Sequence, residues 1–387
     1  MKLAALTFSS YALALAAPFQ TARERLEVRR GFLVRVRDNA GREGVGEAAP
    51  IAGFGMESLA EAGAALERWA ALRPDAFPAQ PSSAQPSSAQ PSAAATVALP
   101  TELDPLRVAL DPQGRVPTAC HALECALADL AARQAGLPLY RWLLTALGEG
   151  QRPVPDWLSV NATLAALAPA EAARAAAELA AQGFGTLKVK VGVGGMAADA
   201  ERVRAVRAAA PRVRLRVDAN GAWSRAEAAA WLERQAELGL EYAEQPLPRE
   251  DLAGMAKLAA SCPVRIAADE AVLCEEDARR VLDARAAHVL VLKPMALGGP
   301  LAALRVARMA LAAGAAVVLT TSLEGVFGRT AALHVAAAAQ ALAGAQLLPA
   351  AGLATGHLLR EDHHPNPPRP VDGRLHVPQG PGLGIGL

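Results

Sequence analysis

Short apolar runs alternate with helical stretches rich in Ala, Arg and Glu from about residue 155 onward, at a nearly constant interval. The runs are LSVNA, TLKVK, RLRVD, EYAE, RIAAD, VLVLK, AVVLTT and AQLLP. From Lys190 through Asp218, Glu244 and Asp269 to Lys293, successive run ends are separated by 28, 26, 25 and 24 residues. One strand, one helix and two short loops take about that many residues in a βα unit. Eight apolar strands at this interval predict an α/β fold with a parallel barrel.

An open doubly wound sheet is the alternative architecture for strands that alternate with helices. Its dinucleotide-binding form carries GxGxxG where the first strand turns into a helix. No strand-to-helix turn of this sequence carries that motif, and the Gly cluster VGVGG after Lys190 is too loosely spaced to indicate a phosphate site. We therefore favour the barrel.

Both ends of the chain lie outside the regular alternation. Residues 30–47 read as two β-prone runs around the turn signal DNAGREG, and the helix-like stretch MESLAEAGAALERWAALR follows. We predict an α+β capping domain built from residues 1–120 together with a C-terminal segment, 351–387, around a barrel at 121–350. The repeated Gln-Pro-Ser units at about 78–96 are too poor in large apolar side chains to form a core, and they predict a surface insertion.

The opening residues, MKLAALTFSSYALALAAPF, imitate a signal peptide. However, TFSSY interrupts the apolar part and only one charge precedes it, so we favour a first β-strand. No segment reaches the ~18 uninterrupted apolar residues of a membrane span. We accordingly expect a cytoplasmic protein without a membrane partner.

Composition excludes several classes of partner. The net charge is +1 and aromatic residues make up 4%, so the basic patches and stacking surfaces of nucleic-acid binders are missing. The four cysteines have no metal-binding or disulfide spacing, and the seven histidines are scattered, which argues against a zinc hydrolase. A small molecule is the expected partner, and the sequence is compatible with a homo-oligomer.

Three consecutive predicted strands each end in a carboxylate: Asp218, Glu244 and Asp269. One such residue alone is most simply a helix N-cap. In a βα barrel, however, the C-terminal strand ends converge on one mouth, where three buried carboxylates repel one another unless a cation lies among them. All-oxygen ligation without His or Cys indicates a hard cation, Mg²⁺ or Mn²⁺.

Lysine is rare in this chain and is concentrated at the predicted mouth. Of 39 Lys+Arg residues only five are lysines, and three of these, Lys188, Lys190 and Lys293, lie at strand ends. Strand alternation in LKVKV places both lysines on one face, toward the barrel interior. Unlike arginine, lysine can lose its proton when burial or a neighbouring cation lowers its pKa, so we expect one of them to act as a base.

These motifs together resemble the enolase superfamily, and within it the muconate-lactonising subgroup. The resemblance covers nearly the whole chain, and its motifs are GVGEAAPIAGFGMES, KVK, DAN at 218–220, EQP at 244–246, ADE at 268–270 and KPMALGG at 293–299. It implies a modified (β/α)7β TIM-like barrel with a capping domain and a Mg²⁺-dependent proton abstraction next to a carboxylate, through an enediolate. It also implies metal ligation by Asp218, Glu244 and Asp269, with Asn220 and Glu270 orienting the ligands or the substrate.

Later stretches, VVLTTSLEGVFGRTAALHVAAA and AAGLATGHLLRED, most resemble the o-succinylbenzoate synthase family within that subgroup. That resemblance implies dehydration of 2-succinyl-6-hydroxy-2,4-cyclohexadiene-1-carboxylate in menaquinone biosynthesis. Lys190 would then be the base, Lys188 would set its protonation state, and Lys293 would stabilise the anion from the opposite face. The family's Glu-Ser pair on the seventh strand is Glu324-Gly325 here.

Several substrate contacts are implied as well. Ser322, Asn161 and the loop around Phe54, Gly55 and Met56 are the candidates for holding the substrate. Racemisation of N-acylamino acids is the closest alternative reaction, because it uses the same lysines. Other cycloisomerases and epimerases of the subgroup follow, although the DxD typical of dipeptide epimerases on the last strand is absent.

Two further hypotheses come from other classes. A Schiff-base aldolase would use a lone lysine late in the barrel, Lys293, but it would leave the three carboxylates unexplained. A barrel that serves only as a binding scaffold would require that the charged residues at its mouth bind no metal.

Overall fold

The computed structural model describes residues 3–20, 25–71 and 111–386 of the 387-residue chain. The predicted Gln-Pro-Ser insertion at 78–96 lies outside these ranges. Within them, no helix combines the length and the apolar character that crossing a membrane requires.

The N-terminal part is a three-stranded antiparallel sheet in the order β1-β2-β3. Its strands are β1 Leu3–Gln20, β2 Arg25–Asp38 and β3 Glu43–Ala48. Asp38 stabilises the turn between β2 and β3, because its Oδ1 accepts hydrogen bonds from the Ala40 and Arg42 amides, each at 2.9 Å. The predicted first strand and the predicted hairpin are both confirmed.

Two helices accompany this sheet, α1 Leu59–Ala70 and α2 Pro117–Gln134. A capping box between Ser58 and Glu61 starts α1. Helix α2 packs so closely on β3 that a Cβ on Gly46 would lie 1.9 Å from the Ala122 carbonyl oxygen. Only glycine permits this approach, so the GVGE motif is first of all a packing requirement.

Seven parallel strands form the second sheet, in consecutive order from β5 to β11. They are β5 Ala162–Leu164, β6 Thr186–Lys190, β7 Arg214–Asp218, β8 Leu240–Glu244, β9 Ile266–Ala268, β10 Val289–Leu292 and β11 Ala316–Leu319. The remaining helices are α3 Leu139–Ala146, α4 Pro169–Ala181, α5 Met196–Ala209, α6 Arg225–Arg234, α7 Leu252–Ser261, α8 Glu275–Asp283, α9 Pro300–Ala312 and α10 Val326–Ala343. Helices α4 to α10 follow the seven strands in turn, as the regular alternation predicts.

The predicted eighth strand is wrong in position and length. The run AQLLP, which ends at residue 349, is not a strand; instead, Ala351 forms a single parallel bridge to Val160 and Gly352 forms one to Thr320. These two bridges join the first and the last strands of the sheet. The barrel is therefore closed by two residues, and a segment that short carries no strand pattern that a sequence could reveal.

The C-terminal segment contacts both parts of the molecule. Strand β12, Arg374–His376, pairs antiparallel with β4, Trp157–Ser159, just before the barrel begins. Farther upstream, the Arg360 amide donates a hydrogen bond to the Ala14 carbonyl at 2.9 Å. Helix α2, which packs on β3, continues without a break across the predicted domain boundary at residue 120. The domain boundaries at 120 and 350 stay predictions.

The barrel has two separate apolar surfaces. Outward-facing strand residues such as Leu187, Val189 and Leu215 are fully buried beneath the helices. Inward-facing residues form their own cluster, which comprises Tyr242, Ala267, Val289, Val291, Ala316 and Val318. Because Lys188 and Lys190 alternate with Leu187 and Val189, their side chains share the inner face with this cluster, as predicted.

Arg216 ties the barrel seam together from inside. Its side chain is 0% exposed and donates to Glu241 Oε2 at 2.6 Å, to Asn161 Oδ1 at 3.0 Å and to the Ala350 carbonyl at 2.7 Å. Asn161 and Ala350 lie on the two sides of the closure, so one guanidinium spans the shortest pairing in the barrel. The cost of desolvating the Arg216 guanidinium is offset by these charge-assisted bonds and by the Tyr242 ring 4.7 Å away.

We expect Arg216→Met to lower the free energy of unfolding by about 3 kcal/mol, because it leaves Glu241 and the Ala350 carbonyl without their buried partner. Urea titration measures the change. Arg214→Met is the matched control: Arg214 lies on the same strand and contacts the same Glu241 at 3.7 Å, but its side chain is 65% exposed. An equal loss in both variants would contradict the assigned role of the seam.

A second prediction concerns acid stability. His334 Nδ1 accepts from the Tyr140 amide at 3.3 Å, so the neutral ring donates from Nε2 to the Leu383 carbonyl at 3.1 Å. Burial lowers the pKa of His334 to about 4. The unfolded chain then binds the extra proton between pH 6.5 and 4, so stability falls as the pH drops through that window.

Because of His334, the wild type should lose stability between pH 7 and pH 5. We expect His334→Gln to lose about 2 kcal/mol less than the wild type over this pH range. The measurement is a pair of denaturant titrations at each pH. His376→Gln, which changes an exposed histidine on β12, should leave the loss at its wild-type value. A wild-type pH dependence retained by His334→Gln would show that the proton uptake occurs elsewhere.

Candidate active site

Parallel register brings the predicted site residues to one edge of the sheet. Lys190 pairs with Asp218, and Asp218 pairs with Glu244, at the C-terminal ends of β6, β7 and β8. Asp269 follows β9 directly and Lys293 follows β10. These side chains meet because each strand ends at the same level, which the nearly constant spacing of the runs already indicates.

Lysine ammonium groups lie between the carboxylates. Lys188 Nζ is 2.8 Å from Glu244 Oε1 and 3.1 Å from Asp218 Oδ2, and Lys190 Nζ is 2.7 Å from the same Asp218 oxygen. Across the mouth, Lys293 donates to Asp269 Oδ1. Asp218 and Glu244 are each 1% exposed, so these ion pairs form in a poorly solvated environment.

The pKa values of the carboxyl groups diverge under these contacts. Burial and the neighbouring Asp218 raise the pKa of Glu244 to about 8. Burial alone would also raise the pKa of Asp218, but Lys188 and Lys190 hold it below its ordinary value. Burial and Asp269 raise the pKa of Glu270. The mouth therefore brings its carboxyl groups so close together that burial and mutual repulsion disfavour the charged forms of Glu244 and Glu270.

The lysines respond in the opposite direction. Burial would lower the pKa of Lys188, but Asp218 and Glu244 raise it well above its ordinary value. The pKa of Lys293 is raised for the same reason, with Asp269 and Glu270 as the partners. The lowered lysine pKa expected from the sequence is not seen while the carboxylates face the ammonium groups directly.

The donor set fits a hard divalent cation, although the described residues contain no group of three His, Cys, Asp or Glu side chains already arranged around one point. The oxygens of Asp218, Glu244 and Asp269 are instead held by lysines. Four carboxylates, with Glu270, face three ammonium groups, and the buried Glu270 Oε2 has no hydrogen-bond partner. A divalent cation would relieve the repulsion among these carboxylates, and their oxygens are ligands of the kind that Mg²⁺ prefers.

Asn220 links the two sides of the mouth. Its Oδ1 accepts from Lys190 at 2.7 Å, and its Nδ2 donates to Glu270 Oε1 at 2.9 Å. The backbone φ of Asn220 is +46°, a left-handed conformation in which asparagine is one of the best-tolerated residues. The orienting role that the resemblance implies for Asn220 and Glu270 stays a prediction.

Gln245 is a structural member of the site that the sequence analysis did not single out. Its Oε1 accepts from the amides of Asp269 and Ala271, at 3.0 and 3.2 Å, and its Nε2 donates to the Leu247 carbonyl at 2.9 Å. The residue is fully buried and has φ +37°. It therefore connects the end of β8 to the end of β9. Its position beside Glu244 in the EQP motif was the available signal.

Helix α5 holds the end of β6 in place through a second pair that the sequence analysis did not identify. Arg202 NH1 donates to the Lys190 carbonyl at 3.2 Å and to Asp199 Oδ1 at 2.5 Å. Asp199 Oδ2 in turn accepts from the Gly192 amide at 2.7 Å. Both side chains are buried, so the backbone on each side of Val191 is fixed by an internal ion pair.

The predicted substrate contacts are placed differently from one another. The Phe54 ring lies 5.6 Å from Lys293 Nζ, so this residue reaches that side of the mouth, and its contact with a substrate stays a prediction. Ser322 is fully buried just after β11, and its Oγ has no hydrogen-bond partner. Asn161 is not brought to the carboxylates: its side chain bonds to Arg216 and to Thr163 in the layer beneath. A strand-end position alone could not distinguish these two layers.

Two family models match the chain. The model described as enolase C-terminal domain-like covers residues 171–387, and the model described as the MenC N-terminal domain covers residues 3–99. Among curated relatives, muconate cycloisomerase 1 of Pseudomonas putida is 31% identical over 96% of this chain and 91% of its own. The L-Ala-D/L-Glu epimerase of Bacillus subtilis is 32% identical over 81% and 78%. The o-succinylbenzoate synthase of Thermobifida fusca is 42% identical over 58% and 68%.

Solved structures agree over the whole chain. A dipeptide epimerase from Enterococcus faecalis, complexed with Mg and the dipeptide L-Leu-L-Tyr, has a TM-score of 0.85 at 26% identity, and the superposition covers 100% of both chains. A muconate lactonizing enzyme from Pseudomonas fluorescens, complexed with muconolactone, has a TM-score of 0.83 at 30% identity, over 100% of this chain and 96% of its own. With matching fold, matching domain models and carboxylates at the ends of consecutive strands, this chain belongs to the enolase superfamily.

Proposed function

We propose that this enzyme dehydrates 2-succinyl-6-hydroxy-2,4-cyclohexadiene-1-carboxylate to o-succinylbenzoate, a step of menaquinone biosynthesis. The observation that carries the proposal is the higher identity to o-succinylbenzoate synthases. It is 40–42% over 58–61% of this chain, against 31–32% for the cycloisomerase and the epimerase over longer alignments. The lysine and carboxylate arrangement supports the chemistry that all these enzymes have in common.

Asp218, Glu244 and Asp269 would hold the cation, which we infer to be Mg²⁺ because every donor is a carboxylate oxygen. When bound, this ion stabilises the negative charge that remains on the substrate carboxylate after proton loss. The same carboxylates would then be engaged by the ion rather than by lysine alone. Lys188 and Lys190 would lose part of the interaction that favours their charged forms, which lets one of them act as a neutral base.

Lys190 would remove the proton next to the ring carboxylate. Its Nζ has a fixed direction, because Asp218 and Asn220 both accept from it at 2.7 Å. The electron pair left by the C–H bond forms the new ring double bond as the C–O bond at the adjacent carbon breaks. The departing hydroxide takes the same proton back from Lys190 and leaves as water, so the lysine returns to its starting state.

Lys293 would face the substrate from the opposite side. It follows β10 and Lys190 ends β6, four strands away around the sheet. As an ammonium group held by Asp269, it would stabilise the delocalised anion over the ring. The Phe54 ring beside it would exclude water from that face.

Racemisation of N-acylamino acids, or epimerisation, is the second candidate, and the same two lysines favour it. Two bases on opposite faces are what inversion at a carbon requires, and the alignment to the Bacillus subtilis epimerase is longer than that to the synthase. The segment that closes the barrel, residues 349–354, reads Pro, Ala, Ala, Gly, Leu and Ala, however, and offers no carboxylate for the ammonium group of a dipeptide. We therefore rank N-acyl substrates above free dipeptides.

The test is an ultraviolet assay of the dehydration with wild-type enzyme and Mg²⁺. We expect turnover that chelation abolishes and that Lys190→Ala reduces at least about 100-fold, as removal of a general base does. Lys257→Ala, which changes an exposed lysine on α7, is the matched control and should retain wild-type kcat and KM.

Two outcomes separate the candidate functions. Mg²⁺-dependent turnover that depends on Lys190 but not on Lys257 establishes the dehydration. Racemisation of N-succinylamino acids is measured by deuterium exchange at the α-carbon. An enzyme that racemises these substrates and does not catalyse the dehydration replaces the proposal with the second candidate.

Metal binding has a test of its own. We expect Glu244→Gln to weaken Mg²⁺ binding, measured by calorimetry, at least about tenfold, because one charged ligand is lost. Glu250→Gln removes an exposed carboxylate six residues away and should leave the affinity unchanged. Equal affinity in wild type and Glu244→Gln would exclude Glu244 as a ligand.

A further inference from the structure

Each strand of the N-terminal sheet contributes one polar side chain to a hydrogen-bonded set that reaches the segment after β11. These are Tyr11 from β1, Arg29 from β2 and Glu47 from β3, and we call them the sheet clamp. Arg29 and Glu47 bond to residues 322–328, Arg29 also bonds to the backbone that leaves β3, and Tyr11 bonds to Glu47. None of the three belongs to the lysine and carboxylate cluster, and the proposed mechanism does not use them.

Arg29 binds main-chain carbonyls on two different segments. Its Nε donates to the Leu323 carbonyl at 3.1 Å and its NH2 to the Ser322 carbonyl at 3.3 Å. The same guanidinium donates to Ala49 at 2.5 Å and to Pro50 at 3.2 Å. Arg29 is only 2% exposed, so it joins the exit of β3 to the exit of β11 inside the protein. Its planar fork suits this task in a way that a lysine cannot reproduce.

Glu47 holds the first turn of α10. Its Oε1 accepts from the Gly325 amide at 2.5 Å and its Oε2 from the Gly328 amide at 2.9 Å. Tyr11 donates its hydroxyl to the same Oε1 at 2.5 Å. Amides at a helix start have no partner within the helix, and the positive end of the helix dipole also favours a carboxylate there. Glu47 is 0% exposed, so the bond is shielded from water.

Between these two anchors the chain adopts a conformation that leucine rarely takes. Leu323 has φ +60°, in the left-handed region. Its carbonyl is held by Arg29, and the preceding Ser322 amide donates to Glu324 Oε2 at 2.5 Å. A non-glycine residue persists in this region only where the surrounding contacts determine it. The strained turn includes Ser322, whose buried Oγ has no hydrogen-bond partner and which lies three residues past the C-terminal end of β11, on the edge of the barrel where the strands end.

We propose that the sheet clamp is a positioning device for substrate recognition: the N-terminal sheet fixes residues 322–325, and thereby the Ser322 side of the substrate pocket. The inference rests on the proposed function only in assuming that the substrate occupies the barrel mouth. It assigns a task to the sheet that differs from covering the mouth with the Phe54 loop. The clamp acts through the backbone and contacts neither the metal ligands nor the lysines.

The test compares Arg29→Lys and Tyr11→Phe with wild type, and uses Arg30→Met as the control, since Arg30 is the exposed neighbour on the same strand. Kinetics with whichever substrate the wild type turns over should give at least about a tenfold higher KM for Arg29→Lys, with a smaller rise for Tyr11→Phe. Mg²⁺ affinity, measured by calorimetry, should be unchanged. Hydrogen exchange should accelerate at residues 322–328 and stay at the wild-type rate in β7 and β8.

A merely structural role for Arg29 predicts a different result. The folded fraction, and with it the apparent kcat, would fall while KM stayed constant, and that result overturns the proposal. Unchanged exchange at residues 322–328 in Arg29→Lys overturns it as well. If the wild type turns over neither candidate substrate, the proposed function fails, while the exchange measurement still decides whether the clamp exists.

Discussion

The barrel mouth buries four carboxylates against three ammonium groups, and this balance of charge constrains the rest of the structure. Asp218 and Glu244 are each 1% exposed, so water does not screen the charge of either carboxylate. Each remaining group is therefore held in place by contacts beneath or beside it: Asn220 and Gln245 above the strands, and the Asp199–Arg202 pair behind Lys190. Buried charge of this kind is a weak source of stability but a strong constraint on geometry.

Regular alternation in the sequence was sufficient to predict the barrel and the meeting of lysines and carboxylates at its mouth. Strand alternation directs Lys188 and Lys190 inward, and a nearly constant spacing makes consecutive strands end at one level. Both are local properties, so no knowledge of the fold is needed. Asn161 shows the limit of this reasoning, since it precedes β5 and its amide bonds to Arg216 one layer below. The depth of a residue within a barrel depends on stagger, which spacing along the chain does not encode.

Contacts between distant segments were not predictable in the same way. Glu47 and the Gly325 amide are 278 residues apart, and Arg29 and the Leu323 carbonyl are 294 apart. Neither Arg29 nor Glu47 lies in a pattern that indicates its partner, because each binds backbone groups, which every residue carries. The two-residue closure at Ala351 and Gly352 was missed for a related reason: both residues pair through their backbone groups, so their own side chains leave no trace of it.

The two lysines, Lys190 and Lys293, do not determine which substrate the enzyme uses. One base on each face of a substrate carboxylate serves dehydration and racemisation equally, so Lys190 and Lys293 cannot select between them. Discrimination must come from groups that contact the rest of the substrate, and the Phe54 loop and the turn after β11 are the two segments that we propose for this role. Arg29 bonds to the backbone that leads into both. Under this proposal, changes in the small antiparallel sheet would alter substrate recognition and leave the proton chemistry intact.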